Sequence, residues 1–265
     1  MNHALDYLRY GLILLMLFMS VGANAEVKTR TIEYQQGNTV LEGYLAYDTT
    51  GPSRKPGVLV VHEWTGLGSF AKSRAEQLAR LGYVAFAADI YGKGVRPNNA
   101  KEAAATSKIY MSDRALLRER AKAALEKLRS QEGVDPGRIA AIGYCFGGTA
   151  VLELARSGSD IKGVVSFHGG LDTPNLQDAK KIRAKVLVLH GADDPFVPYE
   201  QVKIFEDEMR FGNVDWQLVK YSKAVHAFTN PESGNDNSKG AAYNSDADRR
   251  SWDAMKGFFK EIFQE

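Results

Sequence analysis

The chain has 265 residues, 44% of them hydrophobic and 25% charged, with 34 Lys and Arg against 32 Asp and Glu. A formal net charge of +2 carries no polyanion-binding signature, and 25 glycines with 8 prolines exclude collagen-like, coiled-coil and wholly disordered readings. The single cysteine, Cys145, excludes an internal disulfide and a thiolate-cluster metal site, since each needs a second sulfur from the same chain.

In chain order, Arg9 precedes an uncharged run from Tyr10 to Ala25 whose apolar heart is GLILLMLFM. A spanning helix wants about 20 predominantly apolar residues, and this run is shorter and ends in small and polar ones. With Ala23 and Ala25 forming an A-x-A site before Glu26, residues 1–25 read as a secretory signal peptide cleaved after Ala25. The alternative is an uncleaved N-terminal anchor. Cleavage implies a periplasmic or secreted protein of residues 26–265 with no stable membrane association. No long linker, like-charge block or repeat divides those residues, so they read as one catalytic domain.

TRTIEYQ and TVLEGYLAY, separated around Gly37-Asn38, predict an opening antiparallel hairpin. Six short aliphatic runs follow at 57–63, 83–89, 138–144, 163–169, 185–191 and 215–221, each suited to a strand buried on both faces. Helix-like stretches lie near 70–81, 100–129, 147–157 and 199–210. A final amphipathic stretch near 245–263 places Trp252, Met255, Phe258, Phe259 and Ile262 at helical spacing. The alternation predicts an α/β domain with a mostly parallel eight-stranded sheet flanked by helices. In such sheets ligands bind beyond the carboxyl ends of the strands, so chemistry is expected just after each one.

Cys145 occupies such a position. GYCFGG, Gly143 to Gly148, follows the strand RIAAIGY and opens the helix-like TAVLELA. This is the G-x-nucleophile-x-G elbow with sulfur in place of the usual serine oxygen. Gly143 and Gly147 relieve the crowding of a tight strand-to-helix turn, and the helix N-terminus favours negative charge on the sulfur. A lone cysteine is more often a small buried hydrophobe, but the strand-turn-helix context favours the nucleophile. The acid and base follow in order: Asp193 and Asp194 after the strand KVLVLHG, and His226 in the loop after DWQLVKY. His62, His168 and His190 fall within or at the end of apolar strands and read as packing or backbone-bonded residues. Glu63, after GVLVVH, shares the rim with Cys145. The stretch Asn230 to Asn244, rich in Asn and Gly, reads as a mobile rim loop able to gate the site.

The stretches VVHEWTG, DIYGKG, GYCFGG, HGADDPFVP and VHAF resemble the dienelactone hydrolase family of the α/β-hydrolase fold, in family order across nearly all of residues 26–265. The resemblance selects Asp194, three beyond Gly191, as the acid of a Cys145–His226–Asp194 triad, leaving Asp193 as a turn residue. It implies that Glu63 contacts the resting Cys145 and keeps it a neutral thiol until substrate arrives. The elbow implies an oxyanion hole made by the backbone N–H groups of Trp64 and Phe146. Family members that hydrolyse dienelactone hold its carboxylate with arginines, one of them four residues after the histidine. That position is Asn230 here, and Lys93 and Arg96 in GKGVRP are the candidate replacements, with Arg249 and Arg250 farther off.

The reading is a hydrolase of lactones or activated carboxylic esters working through a thioester. No metal or organic cofactor is required. The expected partner is a small ester or lactone, with no nucleic acid, and the protein is expected to be a monomer. A non-catalytic exported binding protein for lactones or small aromatics is the alternative. A redox protein using the same cysteine is a third, but it would lack a resolving cysteine.

Overall fold

A computed structural model of the chain describes residues 26–264. The expected signal peptide at residues 1–25 lies outside them. The hairpin forms as predicted: β1 (Val27–Gln36) pairs antiparallel with β2 (Thr39–Asp48) across a turn where Gly37 takes a left-handed φ of 56°. The remaining strands are β3 (Lys55–Val61), β4 (Val84–Ala88), β5 (Val134–Tyr144), β6 (Gly163–Phe167), β7 (Lys185–Gly191) and β8 (Trp216–Tyr221). One eight-stranded sheet results, in the order β1-β2-β4-β3-β5-β6-β7-β8, parallel from β4 to β8.

Parallel strands need crossover connections, and these cover both faces of the sheet. The helices are α1 (Ser69–Arg80), α2 (Ala100–Ser112), α3 (Arg114–Arg129), α4 (Phe146–Arg156), α5 (Tyr199–Phe211) and α6 (Ser245–Gln264). Alternation along β3 shows why its sequence is apolar throughout. Leu59 and Val61 join a core with Leu117, Leu125, Val151 and Phe205 of α3, α4 and α5, whereas Val58 and Val60 join one with Leu78 of α1 and Met255, Phe259 and Ile262 of α6. Burying one such side chain contributes about 1.5–3 kcal/mol, so both sheet faces stabilise the fold.

The predicted helix over 100–129 is two helices. Asp113 leaves helical geometry at φ −120°, ψ 84°, and its carboxylate accepts from the Leu116 N–H at 2.9 Å, capping α3. The amphipathic pattern continues through the break, while the cap turns the chain. Among the described residues no helix is long and apolar enough to cross a membrane.

The strand order reverses at β3 and β5, which lie side by side at the middle of the sheet. The residues that follow these two strands, Glu63–Trp64 and Cys145–Phe146, therefore meet at the topological switch point.

Candidate active site

Cys145 links β5 to α4 with φ 53° and ψ −114°, a backbone conformation that costs a non-glycine residue strain energy. Close packing of the turn explains its glycines. A Cβ on Gly143 would lie 1.9 Å from the Gly147 carbonyl oxygen, and one on Gly147 would lie 2.2 Å from that of Val61. The turn thereby holds Cys145 against β3 and leaves it half-buried at the cavity edge.

His226 meets Cys145 from the loop after β8. Its Nδ1–H donates to Asp194 Oδ2 at 2.8 Å, and its ring shares a hydrogen bond with the Cys145 sulfur. Asp194 is buried, and its other oxygen accepts from the Phe196 N–H at 2.8 Å. Asp193 is exposed, while Asp194 is the aspartate bonded to His226. Burial disfavours the His226 imidazolium, but the negative charge on Cys145 and the hydrogen bonds to Asp194 and Cys145 outweigh it, lifting the ring to about 10.

A cavity of about 570 Å³ opens on this pair, lined among others by Glu63, Trp64, Phe196 and Asn230. A smaller cleft of about 230 Å³ continues past Cys145 toward α2, between Met111, Thr149 and Val197. Among the described residues, no intramolecular acceptor takes the backbone N–H of Trp64 or Phe146, and both residues border the cleft beside the sulfur. Among those residues no cluster of three or more His, Cys, Asp or Glu is placed to hold a metal ion.

Glu63 lines the cavity with Cys145, but its carboxylate accepts from Asn230 Nδ2 at 2.7 Å, while His226 is the partner of the sulfur. The resting Glu63–Cys145 contact is thus replaced by one from Asn230. Burial pushes the Glu63 carboxyl above its ordinary range against the pull of Asn230, His226 and Arg74. Asn230 also accepts from the Glu232 N–H at 3.0 Å, which makes it a brace for Glu63 and for the following turn.

Lys93 and Arg96 do not line the cavity. Lys93 pairs with Glu33 on β1, and Arg96 reaches Asp89 at 3.5 Å and the Leu67 carbonyl at 3.0 Å. Arg249 and Arg250 pair with Asp246 on the outer side of α6. The rim stretch is pinned to His226 and is no free loop. The His226 N–H donates to the Gly240 carbonyl at 3.1 Å and the Ala242 N–H to the His226 carbonyl at 3.0 Å. Its Asn and Asp residues cap two short 3-10 turns, at Pro231–Ser233 and Asn237–Lys239.

His168 is backbone-bonded, and the backbone it serves is that of Cys145. At the end of β6, with φ 40°, it accepts from the Cys145 N–H through Nδ1 at 3.1 Å. Burial and the His226 charge hold it well below its ordinary pKa, so it is neutral and carries its proton on Nε2, which donates to Thr229 Oγ1 at 2.8 Å. The sequence signal is a histidine followed by Gly169 and Gly170 at a strand end beside the elbow. His62 is backbone-bonded: Nε2 accepts from Ile90 N–H at 3.3 Å, so Nδ1 donates to the Glu63 carbonyl at 2.5 Å.

The strand order, the elbow after β5 and the ordered Cys, Asp and His define an α/β-hydrolase. The chain belongs to the dienelactone hydrolase family, whose model matches residues 41–263. It is 43% identical to a dienelactone hydrolase-like promiscuous phosphotriesterase from metagenomic libraries, over 89% of this chain and 99% of that one, with a TM-score of 0.86. A Klebsiella pneumoniae subsp. pneumoniae structure bearing a dienelactone hydrolase name, 22% identical over 89% of this chain and 99% of that one, shares the fold with a TM-score of 0.76. A Synechocystis protein bearing a carboxymethylenebutenolidase name is 26% identical, over 89% of this chain and 97% of its own length. Together they make this protein a dienelactone hydrolase-like hydrolase.

Proposed function

We propose that this protein hydrolyses activated carboxylic esters and lactones by two-step acyl transfer, with Cys145 as nucleophile, His226 as acid and base, and Asp194 orienting the imidazole. The observation that carries the reading is the Cys145–His226–Asp194 hydrogen-bonded series facing the 570 Å³ cavity. His226 takes the Cys145 proton and the sulfur attacks the carbonyl carbon, forming a C–S bond and placing negative charge on the carbonyl oxygen. That oxygen rests on the Trp64 and Phe146 N–H groups. As the carbonyl reforms, the C–O bond to the leaving group breaks and His226 gives that oxygen its proton.

Acylation removes the charge on sulfur that helped raise His226. The ring then falls toward its ordinary range and can take a proton from water, whose oxygen attacks the thioester. The C–S bond breaks and His226 returns the proton to the sulfur, restoring the Cys145–His226 pair. A thiolate expels an ordinary alkoxide poorly, so enol-lactones and aryl esters, with stabilised leaving groups, are the favoured substrates.

Export, with residues 26–265 as the mature enzyme, is part of the proposal. Hydrolysis of p-nitrophenyl acetate and of an uncharged enol-lactone by residues 26–265, beside Cys145→Ala, tests the reading: turnover should vanish in the variant. Absence of turnover by the reduced wild type on both would favour a binding protein. Similarity to the promiscuous phosphotriesterase supports a second substrate class, phosphotriesters with an aryl leaving group, to be assayed with the same variant.

A further inference from the structure

The two clefts share Trp64, Cys145, Phe196 and His226, so the sulfur stands between a larger and a smaller compartment. An ester attacked at Cys145 places one end in each. Their charge inventory is one-sided. Apart from the Cys145–His226 pair, the ionisable side chains lining the larger cavity are Glu63, deep in it, and Glu232, at its rim. The smaller cleft adds none.

The nearby cations are turned elsewhere. Arg74 donates to the Thr229 carbonyl at 2.9 Å, pairs with Asp248 at 2.5 Å and stacks against Phe70 and Trp252. Arg96 and Lys93 are held by Asp89 and Glu33. Glu232, by contrast, is exposed, forms no ion pair among the described residues, and receives only a long hydrogen bond of 3.4 Å from Ser69. Trp64, Phe70 and Phe196 supply aromatic surface in the same cavity, the wall chemistry that attracts a cation.

We infer that the larger cavity selects esters whose distal end is a quaternary or primary ammonium group, accepts neutral ones, and rejects those ending in a carboxylate. The inference rests on the ester-hydrolase reading and specifies its substrate class. The bond changes are those of the acyl transfer above. The ammonium group stays intact, with Glu232 and the aromatic walls holding it away from the sulfur.

Three p-nitrophenyl esters of equal acyl length test it: 4-(trimethylammonio)butanoate, its neutral isostere 5,5-dimethylhexanoate, and the glutarate monoester, each corrected for uncatalysed hydrolysis. The expected order of kcat/KM is cation, neutral, anion, with cation over anion by about tenfold or more at low ionic strength and compressed by 0.5 M NaCl. Glu232→Gln should shrink the ratio several-fold and Glu232→Lys should invert it. An anionic ester hydrolysed as well as the neutral one, or a ratio indifferent to salt and to both variants, would overturn the inference. Calorimetric titration of the same esters into Cys145→Ala reads the order in binding, so failure of turnover and failure of charge selection are separate results.

Discussion

The backbone N–H of Cys145 donates to the ring of His168 at 3.1 Å, which ties the strained turn at Cys145 to the end of the neighbouring strand. The same N–H also reaches the Phe167 carbonyl at 3.0 Å, so the elbow is fixed from two atoms of β6 and its extension. Through Thr229, whose carbonyl accepts from Arg74, the contact extends to α1 and, by Asp248, to α6. His168 is therefore a positioning residue.

Replacing it with Phe removes both acceptor and donor. With a net value of about 1 kcal/mol for one hydrogen bond, kcat should fall roughly fivefold with little change in KM. His168→Asn, whose amide oxygen can still accept, should recover part of the loss. Both variants should also shift the pH profile of iodoacetamide alkylation at Cys145, which a merely structural role would leave in place.

The charge on Cys145 contributes to the raised His226, so blocking the sulfur should lower that ring. NMR titration of His226 should give about 10 in the free protein and a markedly lower value after alkylation of Cys145. An unchanged value would assign the shift to Asp194 alone.

Stability should follow the same group. His226 is raised above its ordinary 6.5, so its contribution is full below about pH 6.5 and is lost as pH rises through about 10. The Tm of the wild type should fall across that window more steeply than that of His226→Gln. Parallel Tm curves for the two proteins would contradict the assignment.

Asp194→Asn removes the acceptor that fixes the His226 proton on Nδ1, and kcat should drop by about three orders of magnitude or more. Asp193→Asn, at an exposed turn residue, should stay near wild type. Equal losses in the two would contradict the choice between them.

Much of this was readable before the fold was known. The central strands are legible because they are buried on both faces and must be apolar without alternation; β8, at the sheet edge, is largely intermediate or exposed, not the buried strand its run at 215–221 suggests. The elbow is legible because its glycines are forced by contacts as short as 1.9 Å. The choice of Asp194 over Asp193 needed the family resemblance, since both residues follow the same strand. Lys93 and Arg96 were misplaced for a different reason: their partners Glu33 and Asp89 meet them through the sheet, and Glu33 lies on a strand far earlier in the chain. Nor does any local pattern announce that Asp113 ends one helix and starts another while the apolar stripe runs on, or that a histidine with φ 40° turns its ring toward a neighbouring turn. The Asn- and Asp-rich stretch after His226 looked loose because such residues mark turns; here they cap them.

The central claim is a covalent acyl-enzyme on Cys145. Intact-protein and peptide mass spectrometry after rapid acid quench of the reaction with a slowly deacylating aryl ester reads it directly. The account predicts one acyl increment, confined to the Cys145 peptide, formed in the burst of p-nitrophenol and absent from Cys145→Ala. Undiminished turnover by Cys145→Ala, or an acyl group carried on another residue, would contradict it.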